Sequence, residues 1–202
     1  MDLSDSPDIL HKTTEEKELK AVKQIGLGKS SRFLLSTIVR GFFYLLPLPP
    51  LRSIYLRLFG SSVGKDSVLK NVRFYNLYRT GLKGLSIGSR CYIGNEVLID
   101  LADQVRIEDD VTVAARVHII THQNVGYHDH PLQAHLPNLQ APVHIQSGTF
   151  IGANAVITAG VTVGKNSIVG ACALVREDVP PNTVVAGVPA RPIKKLSQDS
   201  LS

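Results

Sequence analysis

The 202-residue chain has no tryptophan and few other aromatic residues, six Phe and six Tyr. A close-packed core must therefore come from small and β-branched aliphatic side chains, which argues against a helical bundle and for a repetitive β architecture. Cysteine is as scarce. Cys91 and Cys172 are the only two, too few for a disulfide framework or a thiolate zinc site. The polar N-terminus has no apolar leader pattern, so a reducing, cytoplasmic setting is expected. Two further gaps stand out: no acidic residue lies between Glu18 and Asp66, and no histidine between His11 and His118.

What is present divides the chain into unequal parts. Residues 1–30 form a polar N-terminal arm. Residues 31–62 are rich in Leu, Phe and Tyr, punctuated by Arg32, Arg40, Arg52 and Arg57. The longest uncharged run there, 41–51, is too short to cross a hydrocarbon core of about 30 Å. Pro47, Pro49 and Pro50 break any single helix, so two short amphipathic helices around a proline elbow are expected. They would either lie in a membrane interface or cap the rest of the chain. The net charge of +5 asks for an anionic partner. Nucleic acid is not expected, because the bases are not interleaved with an aromatic stacking platform.

Residues 63–190 carry the dominant pattern. Aliphatic residues recur every sixth position at Ile87, Ile93 and Ile99, then, after a two-residue slip, at Ile107, Val113 and Ile119. A second series runs Ile145, Ile151, Ile157, Val163, Val169, Val175. A period of six is that of a parallel β-helix, three hexads to a triangular coil. Three residues after successive aliphatics come Gly148, Asn154, Gly160 and Asn166, types that accept the left-handed conformation a sharp corner needs. One place later come Thr149, Ala155, Val161, Ser167 and Ala173, small enough to stack inside a narrow prism. Between Ile119 and Ile145 the ladder is interrupted, and an extruded loop at about 122–143 is expected, with residues 191–202 as a C-terminal tail.

The segment ITAGVTVGKNSIVGACALVREDVPPNTVVAGVPARPIKKL, residues 157–196, resembles the closing part of the hexapeptide-repeat acetyltransferases, the group that includes maltose, galactoside and polysaccharide O-acetyltransferases. That resemblance implies an all-β, left-handed parallel β-helix with a short helical N-terminal region, a homotrimer, and acetyl-CoA as co-substrate. It implies an O-acetyltransferase acting on a sugar hydroxyl, in cell-surface polysaccharide or glycan synthesis.

Acyl transfer to a hydroxyl needs a base near neutral pH, and imidazole suits the task. His122 stands where the coil gives way to the loop and follows Thr121, a pairing that resembles the family's catalytic segment. His122 is therefore the expected base. His128 and His130, further out, are expected acceptor contacts, with His135 a weaker candidate; His118 and His144 are read as wall or structural residues. Asn95 and Asp100, about one coil earlier, fall near the family's polar acceptor contacts. By the same resemblance Ala153 and Ala171 border the pantetheine arm, and Arg176, Arg191 and Lys194 meet the phosphates, although Glu177 stands where relatives often carry Lys. Both cysteines read as structural, so direct transfer is expected over an acyl-cysteine.

Three rivals remain. Transfer to an amino group needs only the same base. A non-catalytic scaffold would not need the cofactor-end motif. A zinc hydratase on this fold takes a histidine from an earlier coil, and none occurs between His11 and His118, so no metal is expected. The protein should be cytoplasmic, free or peripheral on the inner face of the membrane.

Overall fold

The computed structural model describes residues 27–126 and 130–197. Helix α1 (Leu27–Tyr44) and helix α2 (Pro49–Leu58) flank the expected elbow, and Pro49 and Pro50 occupy the first turn of α2, where no N–H is required. Their inner sides close the first coil: Phe43 packs edge-on to Phe74, and Ser53 and Leu56 are buried. The Tyr55 hydroxyl donates to the Val39 carbonyl at 2.8 Å and ties α2 to α1. No described helix is long and apolar enough to cross a membrane.

The solenoid follows coil by coil. The first comprises β1 (Ser62–Val63), β2 (Val68–Leu69) and β3 (Arg73–Tyr75), and the second β4 (Leu85–Ile87), β5 (Tyr92–Ile93) and β6 (Leu98–Asp100). The third holds β7 (Val105–Ile107), β8 (Thr112–Val113) and β9 (His118–Ile119). The loop that leaves it is based on a ribbon of β10 (His122–Gln123) and β11 (Leu139–Gln140), paired antiparallel. The fourth coil is β12 (Val143–Ile145), β13 (Phe150–Ile151) and β14 (Val156–Ile157); the fifth is β15 (Thr162–Val163), β16 (Ile168–Val169) and β17 (Leu174–Val175). Each strand pairs in parallel with its equivalent one coil away, giving three flat faces.

The apolar residues at the hexad positions point inward and are buried in every coil. Val63, Ile87, Ile107, Ile145 and Val163 line the first face; Leu69, Ile93, Val113, Ile151 and Val169 the second; Phe74, Ile99, Ile119, Ile157 and Val175 the third. Each fully buried aliphatic contributes about 1.5–3 kcal/mol. Thr149, Ala155, Val161, Ser167 and Ala173 are buried at the corners, as their size requires. Gly148, Asn154, Gly160 and Asn166 all have positive φ, but so do Arg90, Glu96, Asp110, Arg116 and Cys172. The ladder hydrogen bonds on either side hold those residues in a conformation their own propensity disfavours. At Gly152 no other residue fits, because a Cβ would lie 2.5 Å from the Ala171 nitrogen in the next coil.

Two boundaries differ from the expectation. Residues 191–202 do not begin a free tail: β19 (Arg191–Lys195) turns back antiparallel on β18 (Thr183–Ala186) and closes the second face. The ladder is also broken earlier than the 122–143 loop, by helix α3 (Leu77–Thr80) and a 3-10 turn, Leu82–Gly84. Leu77 and Leu82 are buried there, so the excursion carries its own anchors.

Candidate active site

Three successive coils leave the third face at the same corner, and each departs from the hexad rule there. The first ends at Tyr75 and passes through Asn76, in the left-handed conformation at φ 51. The second ends at Asp100, in register with Tyr75. In the third, Thr121 and His122 follow β9, whose Ile119 is in register with Ile99. The slip after Ile99 and the loop after Ile119 thus bring Asn76, Asp100 and His122 together from positions 24 and 22 residues apart.

Asp100 is the centre of the group. Its side chain is only 3% exposed, that of His122 28%. Oδ2 lies 2.5 Å from Nδ1 of His122 and accepts from the Thr121 amide at 3.0 Å. Oδ1 accepts from Asn76 Nδ2 at 2.7 Å and from the Ala102 amide at 3.1 Å. The Thr121 hydroxyl lies 3.0 Å from Oδ2 and accepts from the Asp103 amide. Burial alone would raise the Asp100 pKa, but hydrogen bonds from Asn76, His122 and Thr121 outweigh it and hold the carboxyl below its usual range. An ionised carboxylate only accepts, so Nδ1 carries the shared proton. Nε2 makes no hydrogen bond among the described residues and in the neutral ring is the free acceptor.

This geometry sorts the expected site residues. His122, the expected base, has Nδ1 held by Asp100 and Nε2 without a hydrogen bond among the described residues. Asp100 is corrected from an acceptor contact to a positioning residue, because both its oxygens are already satisfied inside the protein. Asn95 is exposed at the turn between β5 and β6, across β6 from Asp100, and one chain does not bring it to His122. His128 lies outside the described residues. His130 is half-buried, and its Nδ1 accepts from the Leu132 amide two residues on, while His135 is exposed. Neither is hydrogen-bonded to the His122 group among the described residues. His118 is exposed on β9, and His144 pairs with Glu108 at 2.8 Å on the first face.

Asn76 and Arg79 were not anticipated. Arg79 donates to Gln140 Oε1 at 2.6 Å, and Gln140 is paired with His122 in the loop ribbon. Both come from the 76–84 excursion, whose only sequence signal is the failure of the aliphatic period between Phe74 and Leu85.

Ala153 and Ala171 stack at the corner between the second and third faces, where the Cys172 amide donates to the Ala153 carbonyl at 2.9 Å. Their small side chains leave that edge open to a flexible arm. It is not the edge that carries His122: the width of the third face separates them within one chain. Arg176 is exposed after β17, on the His122 edge two coils further on. Arg191 and Lys194 lie on β19, and Arg191 is 3.4 Å from Glu177, so the acidic substitution takes up part of the charge expected to face a phosphate. Cys91 is buried, and burial pushes its thiol up, away from the reactive thiolate. Cys172 is exposed at its corner. Among the described residues no three His, Cys, Asp or Glu side chains converge as metal ligands would.

The bacterial transferase hexapeptide (six repeats) model matches residues 142–177. Galactoside O-acetyltransferase of Escherichia coli is 35% identical over 118 residues, covering 55% of this chain and 57% of the relative. The 2,3,4,5-tetrahydropyridine-2,6-dicarboxylate N-acetyltransferase of Staphylococcus aureus is 55% identical over 62 residues, 31% of this chain and 26% of the relative. These alignments thus span less than two thirds of either curated relative. A hexapeptide-repeat acetyltransferase of Vibrio cholerae, solved in complex with acetyl coenzyme A, superposes with a TM-score of 0.71 at 26% identity, covering 84% of this chain and 89% of the other. The coils, their hexads and these likenesses agree on the left-handed parallel β-helix, and the chain is similar in sequence and fold to hexapeptide-repeat acetyltransferases.

Proposed function

We propose that this chain transfers an acetyl group from acetyl-CoA to a hydroxyl of a sugar or glycan acceptor, of the kind built in cell-surface polysaccharide synthesis. The observation that carries the reading is the buried Asp100 holding His122 by Nδ1, which leaves Nε2 without a hydrogen bond among the described residues. Nε2 takes the hydroxyl proton as the oxygen attacks the thioester carbonyl carbon; the carbon–sulfur bond breaks, and the proton passes to the departing thiolate. A donor for the developing oxyanion would be a backbone N–H. Asp100 stabilises the cationic ring without being protonated itself. The separation of the Ala153–Ala171 edge from His122 supports a homotrimer, in which each neighbour supplies the edge that one chain leaves distant.

The test is acetyl-CoA consumption over a panel of sugars, nucleotide sugars and lipid-linked glycans, with His122→Ala as control. Consumption that depends on an acceptor and vanishes in the variant supports the reading; acceptor-dependent turnover that survives His122→Ala overturns it. The staphylococcal N-acetyltransferase match favours one second reading, transfer to an amino group. Hydroxylamine separates the two, since it cleaves an ester product and leaves an amide intact.

A further inference from the structure

Helix α1 has two apolar faces, and the solenoid uses one. Val39 and Phe43 turn inward, whereas Leu35, Ile38, Phe42 and Leu45, spaced three, four and three apart, form a second stripe that is exposed, with Leu34 beside it. Phe42 is 59% exposed and Leu45 75%. On α2 the same division recurs: Ser53 and Leu56 are buried beneath, while Leu51, Ile54 and Leu58 are exposed. Leu48 at the elbow between the two helices is exposed as well. So many large apolar side chains exposed on two consecutive helices mark an interaction site, not a solvated face.

The charge around it selects the partner. Lys29, Arg32, Arg40, Arg52 and Arg57 are carried on the same two helices, with no Asp or Glu from residue 19 to 65. Arg52 Nε donates to the Leu46 carbonyl, and Arg57 to the carbonyls of Val63 and Gly64. These bonds anchor the helices through neutral carbonyls, and among the described residues no ion pair offsets the five bases. Two copies meeting through this face would set these five bases against five, and neither helix carries a carboxylate to offset them. An anionic bilayer supplies what the face lacks, headgroup charge for the bases and hydrocarbon for the leucines.

The same chemistry continues inward. A groove of about 540 Å³ lies between α1 and residues 77–83, with Leu35, Val39, Leu77 and Leu82 along it and Arg32, Arg79 and Lys83 at its sides. Its far wall is the segment that leaves Asn76. We infer that the outer face of α1 and α2 docks this protein on an anionic membrane surface, as a peripheral layer that does not span it.

The full-length protein should be sedimented with phosphatidylcholine vesicles and with vesicles containing about 30% phosphatidylglycerol. Binding is expected to the second only, weakening as salt rises. Leu34→Asn, Ile38→Asn and Phe42→Asn together should lower it by about tenfold or more. Their exposed positions leave the thermal melt of the solenoid unchanged. Arg32→Gln with Lys29→Gln should lower it less, and only at low salt. Absence of binding to either vesicle overturns the proposal. So does a wild-type assembly that ignores vesicles but dissociates in the triple variant by light scattering, because a second copy would then be what covers the face.

Discussion

Two carboxylate–histidine pairs occur among the described residues, and they differ in almost everything except their chemistry. Asp100 and His122 meet at a corner where three coils break the hexad rule; Glu108 and His144 meet on the regular first face. Asp100 is buried, 3% exposed, whereas the Glu108 side chain is 26% exposed and also takes up Ser147 and Arg106. Most important is the nitrogen each carboxylate holds. Asp100 holds Nδ1 and leaves the outer nitrogen free, while Glu108 holds Nε2, the atom a base would need to present. A shared pair of residue types thus leaves Nε2 free in one setting, as the proposed base requires, and ties it to a surface carboxylate in the other.

The largest effect expected from breaking this contrast is on turnover. His122→Ala should lower it by about 100-fold or more with acetyl-CoA binding intact, as measured by single-turnover rate and isothermal titration. His144→Ala should stay within about twofold, since its ring points to Glu108 and not to an open corner. Equal losses in the two variants would erase the distinction.

A smaller effect should come from the carboxylates. In Asp100→Asn, an amide NH₂ on the Oδ1 side would face Asn76 and the Ala102 amide, and on the Oδ2 side the Thr121 amide and His122. Donor would meet donor either way. Turnover should fall by about tenfold or more, with a displaced pH–rate profile and little change in the Michaelis constant for acetyl-CoA. Glu108→Gln should leave the profile in place. Asn76→Ala, which removes one of the donors to Asp100, should act in the same direction as Asp100→Asn and more weakly.

The smallest difference is in acid stability. Hydrogen bonds lower the folded pKa of Asp100 and of Glu108 against the opposing effect of burial. A lowered folded value means stability that is present above the unfolded pKa, near 4, and lost as pH falls through the folded value. Asp100→Asn should therefore cost about 2 kcal/mol at pH 7 by denaturant unfolding, and the gap from wild type should narrow below about pH 4. The more exposed Glu108 should show a shallower version of the same curve.

Much of this was legible beforehand, for local reasons. The hexads named the buried ladder because one inward aliphatic per face is a property of the strand itself, and the corner glycines and asparagines announced positive φ because only backbone freedom is at stake. His122 was legible from its place at the edge of the interruption. The role of Asp100 was not, since nothing local distinguishes a carboxylate that lies beneath an imidazole from one that faces an acceptor. Asn76 and Arg79 were hidden for a related reason: they lie in an excursion between Phe74 and Leu85, ahead of the first full set of hexads, where no period gives a register.

By itself the sequence determined the coil, the position of the long loop, the two helices around the prolines and the place of His122 at the edge of that loop. Those follow from periodicity, φ limits and burial, each settled within a few residues. Only the tertiary structure decided which corner gathers Asn76, Asp100 and His122, which nitrogen of each histidine is held, and which face of α1 stays uncovered. These depend on how many residues each coil inserts before it closes, and a coil's register is set against its neighbours, not within its own segment.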